Sequence, residues 1–297
     1  MKRCVLLTLL IVLGAGLARA DRGSIPFDPE VLVFEPSQRA IIGWNGMEEV
    51  LILTTDLYSS QPTKVLEVLP LPAEPEVTES DVQVFEDLTE IINSHLRAWS
   101  DNGDSRSQGV ESLAEAPAPA AEVTFHEQIG AHDITVFKVL DQARFVAWVE
   151  AYLAEQNAEA VTVPEPLKQV VGEYLADGYG WFVFDVVSLD SEPVTNQAIQ
   201  YRFESEQLYY PLRITRTEQG DTTVDLIILT PNPLAEFPGY PMHKIELMHD
   251  LITVNNVELE PVSQDLHGLF PPRQDVTLRI WQIKGQLNSF THDLLAH

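Results

Sequence analysis

The chain has 297 residues, of which 18 are Lys or Arg and 45 are Asp or Glu, giving a formal charge of −27. Hydrophobic residues make up 45% of it, enough at this length for a sizeable buried core. The negative field excludes nucleic acid and anionic membranes as natural partners and favours solubility, with cations or basic partners as the ligands it would attract.

The first element is a leader. Lys2 and Arg3 precede an apolar run from Val5 to Leu17, and Ala18-Arg19-Ala20 supplies the small-x-small pattern read by signal peptidase. This predicts a secretory signal peptide over residues 1–20, cleaved after Ala20 and too short to span a bilayer comfortably. Cleavage removes Lys2, Arg3 and Arg19 and no acid, which takes the charge from −27 to −30. Cys4 is the single cysteine; it precedes the apolar run, so it is not a lipidation site, and it leaves with the leader. The mature chain then has no disulfide, thiolate metal site or cysteine nucleophile. A secreted or periplasmic protein of bacterial type is expected, with residues 21–297 forming one exported domain. Residues 286–297 are mixed and polar, so no stable membrane anchor is expected.

Residues 39–55 read as a β-hairpin turning at Asn45-Gly46, a pair suited to a two-residue loop with positive φ at both positions. Thr63 to Leu69 is a strand ended by Pro70 and Pro72. Ser80 to Trp99 is the clearest helix: Ser80 and Gln83 have capping-box spacing, and Val84, Phe85, Leu88, Ile91, Ile92, His95, Leu96 and Trp99 share one stripe. His95 on that stripe reads as a packed residue.

Residues 100–122 are rich in Ser, Gly, Ala, Pro and acids, and read as a flexible acidic loop. Asp101, Asn102, Gly103 and Asp104 have the look of a calcium loop but lack its further ligands and terminal Glu. Paired strands follow around Gly130-Ala131. A helix capped by Asp141 turns Phe145, Val149, Tyr152 and Leu153 inward. A second, from Pro164, buries Leu167, Val170, Val171, Tyr174 and Leu175 and ends at Gly178. Tyr179 to Leu189 is apolar on both faces and should be central. Further strands are predicted at Ala198–Phe203, Leu208–Thr217, Val224–Leu229, Ile245–Met248, Leu251–Val257 and Val276–Ile283. This order predicts an α+β fold of mostly antiparallel β-sheet with about three helices packed on it.

Four stretches, at residues 39–72, 124–153, 178–189 and 201–230, resemble an exported prokaryotic family known as domain of unknown function number twenty-three thirty. Some of its members look C-terminally anchored or carry cysteines near the mature start; this chain does neither. The resemblance implies export, and it transfers no activity and no functional residue.

No Gly-x-Ser-x-Gly, His-Glu-x-x-His, P-loop or Gly-x-Gly-x-x-Gly is present, and no cofactor is expected. Asp185, inside an apolar strand, is the one catalytic candidate; burial demands a partner, and Arg202 and Arg213 on predicted neighbouring strands could supply it, which makes a structural ion pair the plainer reading. His243, Glu246 and His249 form a weak metal candidate: on a strand the two histidines lie about 20 Å apart, and on a helix they sit on different faces. His126 and His132 flank the Gly130-Ala131 turn. Tyr209, Tyr210, Pro211, Phe237, Pro238, Tyr240 and Pro241 group aromatics with prolines, as in sugar or peptide sites or in ordinary packing at a sheet end.

These readings favour a non-enzymatic binding or structural protein of the envelope, without settling whether the chain is an enzyme. The alternative is a secreted carboxylate-dependent hydrolase of glycan type, whose mark would be a cleft with two carboxyl groups about 5–10 Å apart. A cation-dependent assembly module is the third option.

Overall fold

The computed structural model describes residues 23–28, 31, 33–34, 38–98, 121–155, 162–190, 194–195, 197–218, 221–234, 237 and 244–297. The leader, the calcium-like residues 101–104, Trp99, His243, Pro238, Tyr240 and Pro241 lie outside them.

Two sheets carry the fold. The first runs β1 (Gly23–Pro26), β5 (Thr63–Leu71), β9 (Trp181–Leu189), β8 (His132–Val139), β7 (Ala121–Ile129), antiparallel throughout. The second runs β14 (Ile245–Leu247), β16 (Asp275–Gln286), β13 (Asp221–Thr230), β3 (Gln38–Trp44), β4 (Glu48–Ser59), β11 (Ala198–Glu204), β6 (Glu76–Ser80). To it are added β2 (Val33–Phe34) and β10 (Val194–Thr195) on β4, and β15 (Ile252–Asn255) on β16. Its β13/β3 pair is parallel. A short ribbon pairs β12 (Leu208–Tyr210) with β17 (Leu294–Ala296). Helices are α1 (Gln83–Ala98), α2 (Gln142–Glu155), α3 (Glu165–Ala176) and α4 (Gln264–Leu269). The class is α+β on mostly antiparallel sheet.

Alternation along the strands sorts side chains into three large cores, beside a small cluster of Val33, Val65, Val187 and Leu189, and so stacks four layers. On β9, Phe182, Phe184 and Val186 point outward and pack against Phe145 and Val149 of α2 and Leu167 and Tyr174 of α3. Val183, with Leu69 of β5 and Val136 of β8, points inward against Leu51, Tyr201, Leu226 and Trp281 of the second sheet. The outer face of the second sheet, with Ile41, Ile52 and Ile227, is covered by Val84, Phe85, Leu88 and Ile92 of α1 and by Leu266 and Leu269 of α4. α4 lies so close to β3 that a Cβ on Gly43 would stand 2.9 Å from both Leu266 and Leu269. The middle position of β9, with a core on each face, matches a sequence that is apolar on both faces apart from Asp185 and Ser188.

Several local expectations need correction. At Asn45-Gly46, Gly46 has φ +99°, whereas Asn45 does not take a positive φ. Asn45 instead accepts the N–H groups of Met47 and Glu48 on its side-chain oxygen (2.9 Å each), closing a longer turn. β5 runs through Pro70 to Leu71. Pro70 is tolerated because β1 covers only Val65–Val68, so the missing N–H falls at an open edge, where the Pro70 carbonyl accepts the Tyr209 hydroxyl (2.9 Å). Ser80 is the last residue of β6; at the start of α1 it is Asp81 that accepts the Gln83 N–H (2.9 Å). The predicted loop 100–122 ends earlier than expected, since β7 begins at Ala121; residues 99–120 lie outside the described set. Leu208–Thr217 is not one strand: it stops at Tyr210, and Arg213–Thr217 is a 3₁₀ turn.

Candidate functional site

At one end of the sandwich, turns from both sheets surround a cleft of about 950 Å³ lined by Glu48, Tyr179, Glu204, Glu206, Tyr209 and His297, among others. Its frame follows from local chemistry. The β3–β4 turn is tied to α4 by the Asn45 side-chain amide, which donates to the Leu269 carbonyl (2.9 Å). The β11–β12 turn is tied to the β3–β4 turn twice: Ser205 N–H donates to the Met47 carbonyl (2.9 Å), and the Trp44 indole donates to the Ser205 carbonyl (3.0 Å). β12/β17 pairing brings residues 295–297 to the rim, where the Gln207 amide meets His297 Nε2 at 2.8 Å.

The lining is acidic and aromatic. Glu48 is held by Arg202, whose Nε and Nη2 donate to its two oxygens at 2.8 Å each. Glu204 and Glu206 are exposed, and among the described residues neither has a cationic partner. Tyr179 packs its ring 5.3 Å from that of Tyr209 and edge-on, 5.4 Å, to Tyr174. Burial pushes the Tyr179 hydroxyl up to about 12, and the Asp293 charge adds to this, so the phenol stays neutral. Behind it, Tyr174 donates to Asp293 (2.6 Å), and the Arg213 guanidinium lies 4.0 Å over the Tyr174 ring while pairing with Asp177 and Asp293.

Glu49, next to Glu48, faces inward with Leu51 and Leu53 and is 0% exposed. Trp44 and Phe203 stand opposite it on the neighbouring strands. One oxygen accepts the Tyr209 N–H (2.7 Å); the other has no hydrogen-bond partner among the described residues. Burial raises its carboxyl well above the ordinary range, and the Tyr209 bond offsets this only in part. A glutamate in phase with Leu51 and Leu53 is a signal visible in the sequence. The cleft is not, because its lining comes from turns far apart along the chain.

The expected candidates lie elsewhere. Asp185 is buried as anticipated, yet neither arginine reaches it: Arg202 serves Glu48 and Asp265, and Arg213 serves Asp177 and Asp293. Its partner is His132, whose Nδ1 lies 2.7 Å from Asp185 Oδ2, both residues being 2% exposed. The reason is register. His132 and Asp185 share the inward face of adjacent strands, with Glu67 of β5 directly across from Asp185. His126 points to the opposite face, toward Thr135 (3.0 Å) and Asp133 (3.5 Å), so the turn does not bring the two histidines together. His95 meets Glu258 at 2.7 Å.

His249 has both ring nitrogens engaged, Nε2 accepting from Ile280 N–H (3.0 Å) and Nδ1 2.7 Å from the Asp250 carbonyl. Glu246, exposed on β14, lies 3.6 Å from Lys284 of β16. Among the described residues no three metal-ligating side chains gather at one point. Tyr209, Tyr210 and Phe237 of the aromatic group are core residues, and Tyr209 reaches the cleft. No described helix is long and apolar enough to cross a membrane.

Fold and cleft together define a helix-flanked, two-sheet sandwich with a ligand-sized acidic opening at one end. The chain belongs to the family described as uncharacterized protein conserved in bacteria, DUF2330, whose model matches residues 18–238. The match extends beyond the four resembling stretches and stops before β14–β17. No curated protein matches the chain. Among solved structures, baculovirus P35 is similar at 8% identity and TM-score 0.41, over 92% of this chain and 99% of that one. P35 in its complex with caspase-8 gives 8% and 0.40, over 88% and 96%. These scores lie below the level that establishes a shared fold.

Proposed function

We propose that this is an exported bacterial binding protein that holds a small ligand, or a short segment of a larger one, in the cleft between the sheet ends. The observation that carries the reading is the cleft itself: about 950 Å³, framed by hydrogen-bonded turns, with tyrosine faces beside polar groups. Its volume falls in the range usual for ligand sites. Export rests on the leader at residues 1–20 and on the bacterial family.

The hydrolase alternative needs a proton donor open to the cleft. Glu49 is fully buried, Glu48 is locked by Arg202, and Glu204 and Glu206 stand exposed to solvent rather than set in an apolar wall. These facts favour binding over chemistry.

The test is a thermal-shift screen of the purified protein against organic cations, neutral glycans and acidic metabolites. The proposal expects at least one class to raise the Tm, with the shift lost in Tyr179→Ala. A screen in which no class shifts the Tm, or in which every shift survives Tyr179→Ala, contradicts it. Envelope protein beginning at Asp21 is the expected amino terminus; protein recovered intact from the cytosol would refute export.

A further inference from the structure

We infer that the ligand of this cleft is an organic cation, an amine or guanidinium group seated on the face of Tyr179 between Glu204 and Glu206. The inference rests on the binding reading above and adds the ligand class. Three observations carry it.

The first is the charge of the lining. Glu48, Glu204 and Glu206 line the cleft, and among its described lining residues His297 is the one side chain able to carry positive charge. Glu48 is already neutralised by Arg202, so the cleft's unspent charge sits on Glu204 and Glu206.

The second is the aromatic wall. Tyr179 is half-buried, its ring fixed by Tyr174 and Tyr209, and its hydroxyl stays neutral, so it offers a π-face rather than a charge. A cation over such a face, with carboxylates beside it, gains from both.

The third lies one ring away. The protein holds one of its own guanidinium groups with such an arrangement: Arg213 lies 4.0 Å over Tyr174, with Asp177 and Asp293 as its carboxylates. Tyr179 touches Tyr174 edge-on, and the cleft it lines also holds Glu204 and Glu206, so an external cation would find there the same kinds of group that hold Arg213. Neutral polyols would also stack on tyrosine, but they leave two carboxylates without counter-charge. Anions meet only repulsion.

Isothermal titration of the purified protein tests this. The probes are L-arginine amide and spermidine as free cations, a Gly-Arg-Arg-Gly peptide as a chain-borne one, and maltotriose as a neutral polyol. Arginine amide or the peptide should bind, with affinity falling as salt rises. Tyr179→Leu, and separately the exposed pair Glu204→Gln/Glu206→Gln, should each weaken binding about tenfold. The second variant keeps the test valid if the first loses its fold. Glu86→Gln/Glu90→Gln on α1 removes the same charge elsewhere and should leave affinity unchanged. A free cation binding as tightly as the peptide identifies a small molecule as the source; tighter peptide binding identifies a basic chain segment.

Equal weakening by the α1 pair would reduce the effect to diffuse attraction and overturn the site. Maltotriose binding that depends on Tyr179, with every cation silent, overturns the ligand class while leaving the binding reading intact. Silence from every cation overturns the inference, and if the broader thermal-shift screen is also silent the binding reading falls with it.

Discussion

Glu49 exchanges water for a place opposite Trp44 and Phe203, keeping one hydrogen bond, from Tyr209 N–H. Its carboxyl therefore holds a proton above the ordinary value of 4.5. The unfolded chain releases that proton near the ordinary value, so between the two values the folded state binds more protons. The stability Glu49 contributes is complete below about pH 4.5 and is lost as pH rises through the folded-state value. Glu49→Gln keeps the acceptor for Tyr209 and removes the titration. Its stability relative to wild type should increase with pH, by up to about 1.4 kcal/mol per unit within that window. Denaturant melts from pH 4 to 8 check this; a difference independent of pH would mean that Glu49 is not held protonated. Asp185 supplies the second residue-scale prediction. Asp185→Ala leaves buried His132 without its carboxylate and should cost about 3 kcal/mol. A loss well under about 1 kcal/mol would mean that the pair contributes little. That Asp185 would be buried and paired could be read from its apolar strand. The identity of its partner could not, because it depends on the register of β8 against β9.

At the scale of elements, periodicity in the sequence reports burial before it reports conformation. Leu208, Tyr210, Leu212 and Ile214 alternate and are all 0% exposed, as a strand pattern predicts. Yet Pro211 has no N–H for a ladder, and the chain turns into 3₁₀ geometry at Arg213, where Thr215 bonds the Leu212 carbonyl. The stripe of α1 was legible because Val84, Phe85, Leu88 and Ile92 fit a 3.6-residue period and all face the second sheet. Its first residue was not, because Ser80 and Asp81 both make good caps and the choice is made by β6 pairing, which spends Ser80 on Ala198. Asp81→Ala should therefore cost about 1 kcal/mol and Ser80→Ala much less. Equal losses in thermal melts would return the cap to Ser80. α4 left little trace: six residues including Gly268, held by Ser263 accepting from Leu266 N–H, make too short a pattern.

For the whole molecule, segment order was enough to predict an α+β class. Division into two stacked sheets was not, since it requires β5 and β9 to leave β4 and β11, and no local pattern announces a change of sheet. The parallel β13/β3 pair is hidden for the same reason. The cleft is the extreme case, a site made at the meeting of residues 45–48, 72–73, 179, 204–209 and 295–297. The acidic surface sharpens the question of specificity, because a chain of charge −27 attracts cations everywhere. Backbone amide shifts of the ¹⁵N-labelled protein titrated with arginine amide separate a site from a field. Saturable shifts confined to the β3–β4 and β11–β12 turns, Tyr179 and Leu295 are the predicted result; small, non-saturating shifts spread over the acidic surface would contradict the assignment of this cleft as a binding site for organic cations.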